Sequence, residues 1–241
     1  MKVLVVGGSG IVGTLVLPCL VREHRITVFN LVPAGVPDVE SVVGSVHDHH
    51  ALQRAAAGAD ALVYMAMGSL KWRDWEGSET GIDVNVKGLH FALRALAEAG
   101  GSQAVYCSTM SVYADLQHRY FPDEDLPPDE TNVYGFTKWL GEEVCRNATR
   151  RWGMNVNVLR LCMPTAREAW LEQTVAGVPT YATMDEDVAR AIAAALRFQG
   201  GFQPFMISGD YEHKLMNMTR AKRLLGWAPQ ARPGGDLRQG A

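Results

Sequence analysis

The chain opens with a buried-strand pattern that stops abruptly in glycines. Residues 3–6 form an unbroken aliphatic run, and glycines follow at Gly7, Gly8, Gly10 and Gly13. Such a run is typical of a strand buried on both faces of a parallel sheet. The apolar pattern then resumes with helical spacing, so this region predicts a strand, a glycine turn and a helix.

The alternation of strand and helix patterns continues along the chain. Further strands are predicted at residues 25–31, 39–46, 61–67, 104–108 and 205–210, and further helices at 51–60, 83–99, 134–152, 185–198 and 219–227. Between them, residues 68–81 are polar, aromatic and irregular, which indicates a loop. Strands that alternate with helices indicate an α/β fold with a doubly wound parallel sheet of Rossmann type.

Composition and charge narrow the class of protein. The 241 residues are 47% hydrophobic and 20% charged, with a net charge of −3. These are ordinary values for a soluble globular protein, and they give no electrostatic reason to expect nucleic acid or an anionic membrane as a partner. The N-terminal apolar run is too short for a signal peptide, and no stretch is long enough to span a bilayer. The four cysteines lie far apart in sequence and form no C-x-x-C pair, which favours reduced thiols. Because thiols stay reduced in the cytosol, the expected location is the cytoplasm.

One short segment has the composition of a metal site without its spacing. Residues 47–50 read His-Asp-His-His. Adjacent side chains in a loop or first helical turn do not converge on one ion, and the sequence contains no second cluster of ligands. We therefore predict no metal site and assign Asp48 as the N-cap of the following helix.

The glycine turn is a candidate for binding a dinucleotide cofactor. Glycines permit a tight turn and close approach of the backbone, so main-chain amides and the helix N-terminus can meet a pyrophosphate. The second strand ends at Asn30, whose amide can bond a ribose hydroxyl but lacks the charge that repels a 2′-phosphate. No arginine follows closely to accept that phosphate. This favours NAD and leaves NADP open; a role for Asn30 as a strand-end turn residue also stays open.

The catalytic candidates lie where the strand 104–108 ends and the helix 134–152 begins. Ser108, Thr109 and Ser111 supply hydroxyls, and Tyr134 and Lys138 share one helix face because they lie four residues apart. A tyrosine is a poor base at neutral pH because its reference pKa is about 10. A nearby ammonium lowers that pKa and makes the phenol a usable general acid and base, while a strand-end hydroxyl can orient the substrate oxygen.

Several motifs together resemble the extended short-chain dehydrogenases/reductases, specifically the NAD-dependent epimerase/dehydratase family. They are Gly7-x-x-Gly10-x-x-Gly13, residues 58–66 (GADALVYMA), 83–88 (DVNVKG), 105–113 (VYCSTMSVY), Tyr134-x-x-x-Lys138, 157–160 (NVLR), 187–191 (DVARA) and 224–229 (LLGWAP). The resemblance covers nearly the whole chain. It implies that Tyr134 is the catalytic acid and base, that Lys138 lowers its pKa and holds the nicotinamide ribose, and that Thr109 holds the substrate oxygen.

The resemblance also implies a set of cofactor contacts from the glycine turn, the strand ends and two helices. They are Gly7, Ser9, Gly10, Ile11, Val12, Gly13, Asn30, Val46, Met65, Ala66, Met67, Asn85, Tyr134, Lys138 and Leu161. Two positions depart from the family pattern. Ser45 stands where the family often has Asp near the adenine, and residues 161–164 (LCMP) replace the usual Pro and Asn near the nicotinamide.

The expected substrate is small because the segment from residue 164 to 181 is short. Family members that hold nucleotide sugars usually carry a longer insertion here with basic residues, whereas this segment offers Arg167. Uronate dehydrogenases look similar in size, although Met110-Ser111 replaces their Asn-His pair, which argues against uronate itself. The predicted substrate contacts are Ser69, Thr109, Met110, Ser111 and Arg167.

Some of these assignments have structural alternatives. Arg167 could hold a substrate carboxylate or be a solvated surface residue. Lys71, Trp72, Arg73 and Trp75 could line a substrate pocket or belong to a surface loop.

The sequence thus predicts an NAD(P)-dependent oxidoreductase acting on a hydroxyl or carbonyl of a small sugar or sugar acid. A nucleotide-sugar epimerase or dehydratase and a non-catalytic nucleotide-binding regulator remain alternatives. Residues 1–164 are predicted to bind the cofactor, 165–230 to form a reduced substrate lobe interleaved with late sheet elements, and 231–241 to be disordered. The resemblance implies a homodimer formed through the helices 83–99 and 134–152.

Overall fold

The chain folds into alternating strands and helices, as its hydrophobic pattern predicts. The computed structural model describes residues 1–37, 39–69, 71, 73–175 and 181–233. In chain order, the elements are β1 (Lys2–Val6), α1 (Ile11–Leu20), β2 (Arg25–Asn30), β3 (Glu40–Val43), α2 (His49–Ala56), β4 (Ala61–Tyr64), α3 (Trp75–Ile82), a π-helical turn (Asp83–Gly88), α4 (Leu89–Glu98), β5 (Gln103–Thr109), a 3₁₀ turn (Met110–Val112), α5 (Val133–Trp152), β6 (Asn155–Leu161), β7 (Pro164–Thr165), α6 (Arg167–Val175), β8 (Thr183–Met184), α7 (Asp185–Arg197), β9 (Phe202–Ile207) and α8 (Thr219–Leu225).

The main sheet has the doubly wound topology predicted from the sequence. Within the described residues its parallel strands lie in the order β3-β2-β1-β4-β5-β6-β9, and β7 pairs separately with β8. The chain winds from β1 through β2 and β3 to one side, and then from β4 onward to the other. The Rossmann-type fold class is therefore confirmed. Open α/β sheets bind ligands beyond the carboxyl ends of their strands at such a reversal, which here lies between β1 and β4.

Helices cover both faces of the sheet, which explains the continuous apolar runs in its central strands. Side chains of α1 and α7 pack in the core on one face, and those of α2, α4 and α5 pack on the other. All four residues of β4 and all seven of β5 are buried. The hydrophobic effect thus fixes the central strands, so their carboxyl ends can carry polar side chains in fixed positions.

The region of residues 68–99 differs most from its prediction. Helix begins at Trp75, within the predicted loop, and reaches Glu98 through the π-helical turn. Asp74 caps α3 by accepting the Gly77 N–H at 2.9 Å. An aspartate three residues before the amide it caps is a helix-start signal, and the prediction of a loop over residues 68–81 was wrong at this point. The predicted cap of α2 is confirmed, since Asp48 accepts the Ala51 N–H at 3.0 Å.

The chain after β6 contributes a separate apolar cluster of Trp170, Ala182, Met184 and Ala231. Ala231 begins the predicted disordered tail, yet it is buried and its N–H donates to Asp187 at 3.1 Å. The rest of that prediction, from residue 234 on, lies outside the described residues, and the domain division stays a prediction. None of the described helices is both long enough and apolar enough to cross a membrane.

Candidate active site

The turn after β1 depends on glycine at two positions. Gly7 has a φ of +89°, and a Cβ on it would lie 2.3 Å from the backbone nitrogen of Ala66. A Cβ on Gly13 would lie 2.1 Å from the Gly8 carbonyl oxygen. Helix α1 begins directly after Gly10, and no described side chain caps it. Its first amides are therefore available to an anionic group held against the turn.

A cleft of about 360 Å³ opens beside this turn, at the carboxyl ends of β2, β3 and β4. It is lined by most of the predicted cofactor residues, namely Gly7, Gly10, Ile11, Val12, Asn30, Val46, Met65, Ala66 and Met67. Leu31, His47, Thr80 and Val84 also line it and were not predicted. Leu31 and His47 each directly follow a predicted cofactor residue, Asn30 or Val46, so the sequence could have indicated them. Thr80 lies in the segment predicted as a loop, and Val84 lies in a predicted helix that was not linked to the cleft.

The remaining predicted cofactor residues outside the reacting group have other positions. The Ser9 hydroxyl donates to the Val32 carbonyl at 3.0 Å. Asn30 lines the cleft but also donates to the Val32 carbonyl at 3.4 Å, so both interpretations of this residue fit. Gly13 serves the packing of α1 on the turn, and Leu161 is buried at the end of β6.

Asn85 is buried in the π-helical turn and ties three segments together. Its Oδ1 accepts the Gly68 N–H at 3.3 Å, and its Nδ2 donates to the Thr137 hydroxyl at 2.9 Å. The side chain therefore joins the loop after β4 to α5. Both of these contacts are structural. The π-helical turn that carries Asn85 is nevertheless a feature that is frequent at functional sites.

The carboxyl end of β5 and the start of α5 bring Thr109, Tyr134 and Lys138 together. The Thr109 hydroxyl accepts the Ser111 N–H at 3.0 Å and is hydrogen-bonded to the Tyr134 side chain. Lys138 is 3% exposed, and its ammonium donates to the Cys107 carbonyl at 2.7 Å. The predicted hydroxyl, phenol and amine thus lie at one end of the sheet.

Burial controls the proton affinities of the two titratable groups. It raises the pKa of Tyr134 above its usual value, and the hydrogen bond from Thr109 acts in the opposite direction. It also lowers the pKa of Lys138 to about 8, because a buried ammonium loses its hydration. Burial, rather than Lys138, therefore sets the direction of the Tyr134 pKa in this structure.

A glycine next to Tyr134 lets α5 approach the end of β5 closely. A Cβ on Gly135 would lie 2.1 Å from the Ser111 carbonyl oxygen. Asn132 caps the helix by accepting the Gly135 N–H at 2.9 Å, which fixes where α5 starts. The cap and the glycine together explain how Tyr134 reaches Thr109.

The predicted substrate residues other than Thr109 lie in different surroundings. Ser111 is half-buried beside Thr109, whereas Met110 is 1% exposed and packs in the core. The Ser69 hydroxyl accepts the Lys71 N–H at 3.2 Å. The Arg167 guanidinium pairs with Glu186 at 3.1 Å, so a substrate carboxylate would have to compete with that contact.

The polar segment 68–81 does not pack its described tryptophan, the first residue of α3, on the body of the protein. Trp75 is 90% exposed, and Lys71 pairs with Glu76 at 2.8 Å. Arg73 is exposed as well. Trp72 lies outside the described residues. Among the described residues, no group of three or more His, Cys, Asp or Glu side chains is arranged to hold a metal ion.

The glycine turn, the strand-end hydroxyl and the helix tyrosine agree with a family match over residues 3–185, to the NAD dependent epimerase/dehydratase family. The chain belongs to this family. It is 35% identical over 147 residues to N-acetyl-alpha-D-glucosaminyl-diphospho-ditrans,octacis-undecaprenol 4-epimerase of Escherichia coli O157:H7, a stretch that covers 60% of this chain and 43% of that protein. The chain thus spans less than half the length of this curated relative.

Solved structures of similar fold cover nearly the whole chain. A dTDP-glucose 4,6-dehydratase from Streptomyces venezuelae, solved with NAD bound, has a TM-score of 0.80 at 21% identity and covers 96% of this chain and 92% of its own. A mutated uronate dehydrogenase has a TM-score of 0.80 at 18% identity and covers 95% of this chain and 82% of its own. At these identities the likeness shows the fold.

Proposed function

We propose that this protein is an NAD(P)-dependent oxidoreductase acting on a hydroxyl or carbonyl of a small sugar or sugar-acid-like substrate. The observation that carries the proposal is the hydrogen bond between Thr109 and Tyr134, with the buried Lys138 amine one turn further along α5. Membership of an NAD-dependent family supports nicotinamide chemistry at this site.

NAD is the proposed cofactor, and NADP is the alternative. The backbone at Gly7 and Gly13 leaves no space for a Cβ, the first amides of α1 lack a side-chain cap from any described residue, and the adjoining cleft measures about 360 Å³. Asn30 at the rim of that cleft offers an uncharged amide. These features fit a dinucleotide, with the predicted contact residues holding it. When bound, NAD supplies the hydride acceptor for substrate oxidation.

The chain's own residues handle the proton and orient the substrate oxygen. Because burial raises the pKa of Tyr134, the phenol is protonated at neutral pH, the form that donates a proton to a carbonyl oxygen. In the oxidative direction the phenolate would take the hydroxyl proton, and the Lys138 ammonium would stabilise that phenolate. Thr109 would hold the reacting oxygen, and this positioning would contribute to the rate.

The size of the substrate is inferred from the segment between β6 and α7. Its described part contains β7, α6 and β8, and its Arg167 guanidinium is paired with Glu186. This supports a small substrate. A nucleotide-sugar epimerase or dehydratase remains the second candidate, favoured by the 29% identity over 172 residues to a dTDP-glucose 4,6-dehydratase of Mycobacterium tuberculosis, a stretch that covers 66% of this chain and 52% of that protein. We also propose a cytoplasmic homodimer, with free thiols at all four cysteines; light scattering tests the dimer, and a monomer would contradict it.

Replacing Tyr134 by Phe tests the proposed function. The variant keeps the ring but loses the hydroxyl that binds Thr109 and moves the proton. We expect Tyr134→Phe to abolish turnover while thermal-shift titration shows NAD binding close to that of the wild type, because ligand-induced stabilisation reports binding alone. The matched control is Tyr120→Phe, at a half-exposed tyrosine, which should retain turnover. Full turnover in Tyr134→Phe would remove this residue from the mechanism, and a wild type that binds NAD without any turnover would favour the regulator.

A further inference from the structure

A buried ion pair joins α5, the helix that carries Tyr134, to β6. Glu142 of α5 and Arg160 of β6 are each 3% exposed. The Arg160 Nη2 lies 2.7 Å from Glu142 Oε2, and its Nε donates to both carboxylate oxygens at 3.0 and 3.2 Å. Such paired hydrogen bonds between guanidinium and carboxylate fix the relative orientation of the two groups.

This ion pair contacts both ends of the segment that carries Thr109. At the start, the Ser108 hydroxyl donates to Glu142 Oε1 at 2.6 Å. At the end, Arg160 Nη1 donates to the Tyr113 hydroxyl, which itself donates to the Leu126 carbonyl at 3.0 Å. The segment 108–113 is therefore held at its two ends by one ion pair.

The same ion pair connects this segment to the helix that bears the phenol. Tyr134, Lys138 and Glu142 follow one another at four-residue intervals along α5, so they lie along one side of the helix. Ser108 and Arg160 are direct neighbours across β5 and β6. A change in the contacts of Glu142 would thus alter how β5 and α5 meet, which is where Thr109 touches Tyr134.

We propose that the Glu142–Arg160 ion pair is a positioning clamp that holds Thr109 against the Tyr134 hydroxyl. Glu142, Arg160 and Ser108 are positioning residues that act through Thr109. A buried ion pair adds little stability over apolar packing of equal volume, whereas its directional bonds suit the fixing of geometry. The catalytic consequence rests on the proposed function; the structural consequence does not.

Two variants loosen the clamp by different routes. Ser108→Ala removes the bond between the segment and Glu142 and leaves the ion pair intact, while Glu142→Gln removes the charge and keeps the shape. The control is Gln103→Ala. Gln103 lies at the opposite end of β5, is 7% exposed, and donates to the Ala195 and Phe198 carbonyls at 2.9 Å, so its replacement also removes buried hydrogen bonds from the same strand.

The experiment combines amide hydrogen exchange with steady-state kinetics on the full chain. The Ser111 N–H is the exchange probe because it donates to the Thr109 hydroxyl. We expect both clamp variants to exchange this proton at least ~10-fold faster, and to lose roughly 10- to 100-fold in kcat, as small misplacements of reacting groups do, with KM and the Kd for NAD within about twofold of wild type. Gln103→Ala should lower Tm and leave the Ser111 exchange and kcat unchanged.

The two readouts separate failure of the clamp from failure of the proposed function. Unchanged Ser111 exchange in Ser108→Ala would overturn the clamp, and so would faster exchange with an unchanged kcat. If the clamp variants lose NAD affinity by the same factor as kcat and also have a lower Tm, the ion pair has a merely structural role, and the proposed clamp is overturned. If the wild type lacks turnover, the proposed function fails, and the exchange rates alone then decide whether the ion pair holds Thr109.

Discussion

Replacing Lys138 by Met should stabilise the protein at neutral pH while removing its activity. Burial lowers the pKa of Lys138 from 10.5 to about 8, so holding the ammonium in the folded state costs about 3 kcal/mol at 1.36 kcal/mol per unit of pKa. The variant also loses the hydrogen bond to the Cys107 carbonyl, which contributes about 1 kcal/mol. The net gain is then roughly 2 kcal/mol, or a rise in Tm of roughly 4–8 °C for a chain of this size.

The pH dependence of this gain distinguishes the charge from packing effects. Below pH 8, Lys138 is protonated in both the folded and the unfolded chain, so the wild type bears the full cost. Between pH 8 and 10.5 only the unfolded chain binds the proton, and the stability of the wild type therefore rises with pH relative to the variant. The advantage of Lys138→Met should thus be greatest below pH 8 and shrink above it.

Thermal unfolding from pH 6 to 9.5 measures this difference. The control is Lys87→Met, at a lysine whose side chain is 51% exposed, for which we expect a change within about 0.5 kcal/mol at every pH. The assignment of a destabilising buried charge would be refuted if Lys138→Met is less stable than the wild type at pH 7. It would also be refuted if the difference in stability between the two proteins does not vary with pH.

Two further variants test the residues that shape the cofactor site. Gly13→Ala should lower stability by about 1–3 kcal/mol and weaken NAD binding, because its Cβ would meet the Gly8 carbonyl at 2.1 Å. Gly35→Ala, with no atom within 4 Å of the added carbon, should do neither. Equal effects of the two variants would contradict this prediction. Asn85→Ala should lower stability by about 2 kcal/mol because it removes one buried and one partly buried hydrogen bond. Asn147→Ala, at an exposed position of α5, should change Tm little. Calorimetry compares the two variants, and an unchanged Tm for Asn85→Ala would refute the role of Asn85 in joining the loop after β4 to α5.

The sequence was sufficient for those parts of the fold that depend on local pattern. The aliphatic run of β1, the glycines after it and the Asp48 cap each have a direct physical reading, and the structure shows all three in place. The proximity of Thr109 and Tyr134 could also be anticipated, because a strand end and a helix start were both marked by residue type. Their chemical roles stay predictions.

Features that depend on tertiary contacts could not be read in this way. The direction of the Tyr134 pKa follows from burial, which periodicity does not quantify. The pairing of Arg167 with Glu186 joins residues 19 positions apart, one on α6 and one on α7. The burial of Ala231 depends on its N–H reaching Asp187, 44 positions earlier. Such long-range contacts leave little trace in local sequence.

The most direct test of the proposed chemistry is the absorbance of reduced nicotinamide. The protein would be mixed with NAD and, in turn, with free sugars, sugar acids and nucleotide sugars, and the formation of reduced cofactor followed with time. We predict a rise with a small sugar or sugar acid in the wild type and none in Tyr134→Phe. NAD binding without net reduction, accompanied by conversion of a nucleotide sugar, would contradict the small-substrate oxidoreductase and establish the epimerase or dehydratase alternative.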